Sequence, residues 1–162
     1  NIDLMPDNNY INFYNNLVYL TRNKKLYNNF TSQDTFSDRL IIFLFHFAFF
    51  LNLFKSEYNK KSLQDVFDFI FKQLELSIRE IGYGDASINK KMKTYVNSFY
   101  KILNKIESWE SLETSSQNDI FKDFLDIKND NSILPEYFNT YRNFLKKNTF
   151  NSLLKGVIKP KF

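Results

Sequence analysis

Leu63, Val66, Phe67, Ile70, Phe71, Leu74, Ile78 and Ile81 recur at three- and four-residue steps, which sets them on one stripe of a helix. Gly82 interrupts the pattern. Without a Cβ, glycine takes the left-handed conformation required just past a helix end, and Gly84 keeps the connection tight. Asp85 or Ser87 is then placed to accept a hydrogen bond from a free first-turn N–H. A second stripe follows through Ile88, Met92, Tyr95, Val96, Phe99, Leu103 and Ile106. Two amphipathic helices joined by so few residues are expected to pack antiparallel as an αα-hairpin, because each apolar face needs the other.

The charges on this hairpin run against local electrostatics. Lys90, Lys91 and Lys93 occupy the first turns of the second helix, where the helix dipole disfavours cations, and Glu80 occupies the last turn of the first, where it disfavours an anion. Each placement costs about a few tenths of a kcal/mol, so stability does not account for the set. Positions that break a local rule without visible compensation are candidates for function. The plainer reading pairs Glu80 and Asp85 with the nearby lysines on a solvated face. Glu75 and Arg79, four residues apart, are spaced for an intrahelical ion pair. Lys90, Lys93 and Lys101 share the side opposite the apolar stripe, and Tyr83 is expected at the exposed tip.

The rest of the chain supplies more helix. Among 162 residues there are 19 Phe and 10 Tyr but only three Gly and three Pro, which argues for an all-α, compact bundle in a single domain over 1–162. The abundance of Asn, Lys, Ile, Phe and Tyr also fits an AT-rich genome, so Asn-rich loops carry no functional weight. The most apolar run, residues 40–54, is broken only by His46 and Asn52. Fifteen helical residues rise about 22 Å, short of a hydrocarbon core of about 30 Å, so a buried core helix is expected. His46 between Phe45 and Phe47 reads as a hydrogen-bonded core histidine. Arg39, one turn into that helix, is placed to reach a carboxylate of the hairpin.

Before this helix, Tyr10, Phe13, Tyr14, Leu17 and Val18 mark a short amphipathic helix, residues 26–30 an aromatic-anchored loop, and residues 31–34 a choice of N-caps. Residues 55–61 read as a polar connector, with Ser62 as the N-cap of the hairpin. After Trp109 comes a polar stretch over 110–118, then a short helix through Ile120, Phe121, Phe124, Leu125 and Ile127, and a loop at 129–132. Pro135 fits the first turn of a further helix carrying Tyr137, Phe138, Tyr141, Phe144 and Leu145. Phe150, Leu153 and Leu154 precede a basic tail of Lys155, Lys159 and Lys161. The chain opens on Asn with no signal-peptide pattern, as in a mature or trimmed form.

Several chemistries are excluded. With no cysteine and one histidine there is no thiolate or histidine metal cluster to build. Gly82-x-Gly84 follows a helix and stands alone, so it is neither a dinucleotide fingerprint nor a P-loop. No triad has a credible base if His46 is buried, and no third group organises Glu80 and Asp85 for acid–base work. The chain is therefore expected not to be an enzyme and to need no cofactor. A formal charge of +4 permits an acidic partner or an anionic membrane surface but falls short of a dedicated DNA binder.

Arg79-Glu80, Gly82-x-Gly84-Asp85, Lys90-Lys91-Met92-Lys93 and the later Phe99-Tyr100 resemble the central motif of the ubiquinol–cytochrome c chaperone family. Upstream, Asp34-x-Phe36, Arg39 and His46 fall where that family has an Asp, a Phe, an Arg and a Leu-His, with Phe45 here in place of the Leu. The resemblance covers about residues 10–109; residues 110–162 form additional helices and the basic tail. It implies a non-enzymatic assembly factor for respiratory complex III that holds newly made cytochrome b until haem and partner subunits arrive. It also implies a small partner assembly protein and the ribosome as further contacts. Location would be peripheral, on the matrix side of the mitochondrial inner membrane or the cytoplasmic side of a bacterial one. The implied docking residues are Arg39, Arg79, Glu80, Gly82, Tyr83, Gly84, Asp85, Lys90, Lys91 and Lys93. The alternative is an RNA- or ribosome-binding helical module using the basic hairpin face, whose affinity would fall steeply with salt.

Overall fold

The computed structural model describes residues 10–31, 35–128, 132–156 and 162. Among them are seven α-helices and no strand: α1 Ile11–Thr21, α2 Phe36–Phe54, α3 Lys60–Glu80, α4 Asp85–Lys105, α5 Thr114–Lys122, α6 Ile133–Lys146 and α7 Phe150–Lys155. One isolated antiparallel bridge, Phe30 to Ile127, ties the loop before α2 to the chain after α5.

The centre is α2. Every side chain over residues 40–50 is buried, because α1, α4 and α6 pack around it. Successive phenylalanines face different neighbours. Phe50 meets Phe13 of α1 at 4.5 Å between ring centroids, Phe47 stacks on Phe99 of α4 at 5.2 Å, and Phe49 stacks on Phe138 of α6 at 5.1 Å. Phe45, the departure from the family's Leu, lies 4.5 Å from Phe121 of α5. A helix apolar on all sides is stable only when enclosed in this way. At 19 residues, α2 is longer than the apolar run suggests. It rises about 28 Å, so burial, and not shortness, distinguishes it from a membrane span.

The hairpin closes as the glycine pattern requires. Ile81 caps α3, and Gly82 follows at φ +105, its N–H donating to the Arg79 carbonyl at 2.9 Å. Gly84 is the N-cap of α4 with ordinary extended backbone and no side-chain cap, so neither Asp85 nor Ser87 takes that role. Two other caps also differ from expectation. Thr35 caps α2, accepting from the Asp38 N–H at 3.1 Å, and α3 begins at Lys60 after Asn59, leaving Ser62 inside the helix.

Behind α2, the segment after Trp109 completes the core. Trp109 Nε1 donates to Asn139 at 2.8 Å, Asn139 donates to Gln117 at 3.2 Å, and Gln117 donates back to the Trp109 carbonyl at 3.2 Å. That closed set explains why α5 begins inside the polar stretch: Gln117 and Asn118 are polar but buried. The helix ends at Lys122, short of the Ile127 expected from the apolar spacing. At the far end, α7 docks on α1 through Gly156, whose φ of +68 and closeness to Asn12 leave no room for a Cβ. Asp34, residues 129–131, Lys159 and Lys161 lie outside the described residues.

Candidate docking surface at the hairpin tip

Arg79 organises the tip. Its Nη1 donates to Asp85 Oδ1 at 2.6 Å across the turn, while Nε and Nη2 reach Glu75 Oε2 at 3.2 and 3.1 Å one turn back. The hydrogen bond to Asp85 and then that to Glu75 raise the guanidinium's pKa further above its ordinary value. The group is charged at any relevant pH, so the consequence is geometric: α3 and the start of α4 are clasped by one fork. Asp85 can serve because, as the first residue of α4, it projects back toward α3. Glu75 was legible from its spacing; Asp85 as the second partner was not, since the turn brings it there.

Around the clasp, the surface is open. Tyr83 is 42% exposed, with Lys91 Nζ 4.4 Å from its ring centroid in a cation–π contact. Ile81, placed on the apolar stripe by spacing, is instead 49% exposed, because the stripe runs out one turn earlier at Ile78. Glu80 is exposed and makes no ion pair among the described residues. Lys90, Lys93 and Lys101 line the outer side of α4, likewise exposed and without a carboxylate partner among the described residues. The sequence of α4 explains this. Asp85 is its one acidic residue, and Arg79 takes it.

Arg39 is elsewhere. It stands on α2 and lines a small cavity with Tyr14 of α1 and Leu74 and Ser77 of α3, a cavity that Glu75, Arg79 and Asp85 do not line. Gly82 and Gly84 both face open space, with nothing within 4 Å of where a Cβ would stand. The tip thus joins an exposed Ile81, the Tyr83–Lys91 contact and lysines without a carboxylate partner among the described residues. It contains no nucleophile–base arrangement, and no cluster among the described residues could hold a metal ion.

The family model described as Ubiquinol-cytochrome C chaperone matches residues 28–114, more than half of the chain and the whole of the hairpin. The chain belongs to this family. A crystal structure of the Cbp3 homolog from Brucella abortus shares the fold, with a TM-score of 0.73 at 21% identity over 94% of this chain and 88% of that one. No curated protein matches the chain.

In this ubiquinol–cytochrome c chaperone family member, the histidine of the motif is structural. His46 is wholly buried; Nδ1–H donates to the Ile42 carbonyl at 2.9 Å, which leaves Nε2 to accept from the Tyr137 hydroxyl at 2.6 Å. Burial lowers its pKa to about 3, so it is neutral at neutral pH and fully satisfied. Burial raises the Tyr137 and Tyr141 phenols as well. The Tyr141 hydroxyl donates to the His46 carbonyl at 3.0 Å, completing a polar knot between α2 and α6.

Proposed function

We propose that this chain is a non-enzymatic assembly chaperone for respiratory complex III, binding newly made cytochrome b before haem insertion and subunit assembly. The observation that carries the reading is the hairpin tip of a family member: a clasped, rigid turn that presents Ile81, Tyr83 and unpaired Lys90 and Lys93 to solvent. An apolar and cationic surface of this kind suits a membrane protein emerging beside anionic headgroups. Arg79 and Asp85 set the turn, Gly82 and Gly84 let a client backbone approach, and Glu80, Lys90, Lys91 and Lys93 provide polar contacts. Arg39 contributes from the α2 side.

On this proposal the whole chain works as one chaperone domain, peripheral to the inner membrane, with a small assembly protein and the ribosome as further partners. The test is a tagged pull-down from mildly solubilised membranes of cells translating cytochrome b. Wild type is compared with Lys90→Glu/Lys91→Glu/Lys93→Glu. Cytochrome b in the wild-type eluate, lost in the triple variant while its helical circular dichroism is unchanged, is the expected result. Cytochrome b absent from both eluates removes the client, and equal recovery in both moves the site off α4.

A further inference from the structure

The two helices of the hairpin treat their outward charges differently. On α3, acids and bases alternate and are matched within the helix: Lys61 lies 3.6 Å from Asp65, Gln64 donates to Asp68 at 3.0 Å, and Arg79 holds Glu75 at 3.1 Å. On α4 there is no such matching. Lys90, Lys93, Asn97, Tyr100, Lys101 and Asn104 fall within about 100° of arc at 3.6 residues per turn, and all six are exposed. Phe99, on the opposite side of α4, stacks on Phe47 of α2 at 5.2 Å and turns this stripe away from the core. Two of the five lysines of α4 are engaged elsewhere, Lys105 with Asp123 of α5 at 3.0 Å and Lys91 over the Tyr83 ring. Lys90, Lys93 and Lys101 have no carboxylate partner among the described residues, because the one acid of α4, Asp85, is taken by Arg79. They are spread along one continuous helix, with about 16 Å of rise from Lys90 to Lys101.

We propose that this face of α4 is the surface by which the chain lies on an anionic lipid bilayer. The helix is parallel to the membrane plane, Lys90, Lys93 and Lys101 stand among the headgroup phosphates, and Tyr100 sits at headgroup level, where its amphipathic ring is favoured. The occupant follows from the charge and its layout. The three cations are all lysines, point charges that accept an anion from any direction, and their spread means that no single phosphate or carboxylate meets them all. A flat array of anionic headgroups does. The stripe offers a protein partner charge, amides and one phenol, with none of the buried apolar anchors on which protein interfaces depend. For nucleic acid, three lysines are few beside the about 6–10 phosphate contacts of a salt-sensitive binder. The inference deepens the peripheral membrane location proposed above and rests on it, but it does not require the tip to bind cytochrome b.

The test is sedimentation of the full chain with vesicles of mixed phosphatidylglycerol and phosphatidylcholine, against pure phosphatidylcholine, at low ionic strength. Binding to the anionic vesicles alone is expected. It should weaken about a hundredfold in Lys90→Gln/Lys93→Gln/Lys101→Gln, about fivefold for each lysine at an anionic surface, with circular dichroism unchanged. Lys24→Gln/Lys25→Gln/Lys147→Gln removes as much charge from outside the hairpin and should weaken binding far less. Because the chain has no cysteine, a polarity-sensitive thiol dye reports from one chosen position. On Asn97→Cys, within the stripe, its emission should shift to the blue on adding anionic vesicles. On Asn143→Cys it should not, since α6 packs on α2 through Phe49 and Phe138, away from α4. No binding to anionic vesicles, equal binding to neutral ones, equal losses in the two triple variants, or equal dye shifts at the two positions overturns the proposal. So does tighter binding to polyuridylate with the same lysine dependence, which assigns the stripe to nucleic acid. No cytochrome b is present in this assay, so its failure and that of the pull-down are read separately.

Discussion

At His46 a polar group is enclosed on every side and both ring nitrogens are bonded, whereas at Lys90 and Lys93 exposed charges meet no carboxylate among the described residues. Both regions carry residues that their surroundings disfavour, but only the first is compensated inside the chain. The core resolves its one imidazole with Ile42 and Tyr137 and closes the knot with Tyr141. The tip resolves Arg79 with Glu75 and Asp85 and leaves Glu80, Lys90 and Lys93 without an ion pair among the described residues. Uncompensated polar groups in a fold this well packed point outward, to a surface completed by something else.

The difference is easiest to break from the core side. Phe45 contacts rings from α5 and α6, so Phe45→Ala leaves a cavity that three helices cannot jointly collapse into. A loss of about 3–5 kcal/mol in urea denaturation is expected. A loss below about 1 kcal/mol would mean that α5 and α6 repack independently of α2.

The next effect is on pH. His46 has a folded-state pKa of about 3 against 6.5 in the unfolded chain. Between those values the unfolded chain takes up a proton that the folded one refuses. Stability is therefore complete above pH 6.5 and falls as pH drops toward 3, by up to about 1.4 kcal/mol per pH unit from this group. Comparing wild type with His46→Gln between pH 6.5 and 5 isolates this loss, above the range in which most carboxylates titrate. Parallel curves for the two proteins would show that the imidazole reaches solvent.

Much of this contrast was legible before the structure. Spacing located both hairpin helices, the turn glycine, the enclosed α2 and the Glu75–Arg79 pair, because each depends on residues within a turn or two of one another. Features set by long-range approach were not legible. Nothing local marks Gln117 as the partner of Trp109, or Tyr137 as the donor to His46 across 91 positions. Nothing local marks Gly156 either, because its demand comes from Asn12, at the opposite end of the chain. Gly156→Ala meets both a positive φ and that close contact, and an expected loss of about 1–2 kcal/mol in the same denaturation series measures how firmly α7 is seated on α1. At the tip, motif resemblance named the residues. Asp85 as a partner of Arg79, and Ile81 as an exposed side chain, needed the turn itself.

The smallest effects separate the two glycines of the tip. Gly82 sits at φ +105, where an L side chain is strained even with space around it, so Gly82→Ala should lower stability by about 1 kcal/mol. Gly84 has φ −75 and ψ 163 with nothing within 4 Å, so Gly84→Ala should change stability by less than about 0.5 kcal/mol. The fold therefore accounts for the first glycine and not for the second. If Gly84 is there so that a client backbone can lie against the turn, Gly84→Ala will reduce cytochrome b recovery in the pull-down while its denaturation curve overlays wild type. Unchanged recovery would leave Gly82 as the one tip glycine with a physical requirement, and would confine the contact surface to Ile81, Tyr83 and the lysines of α4.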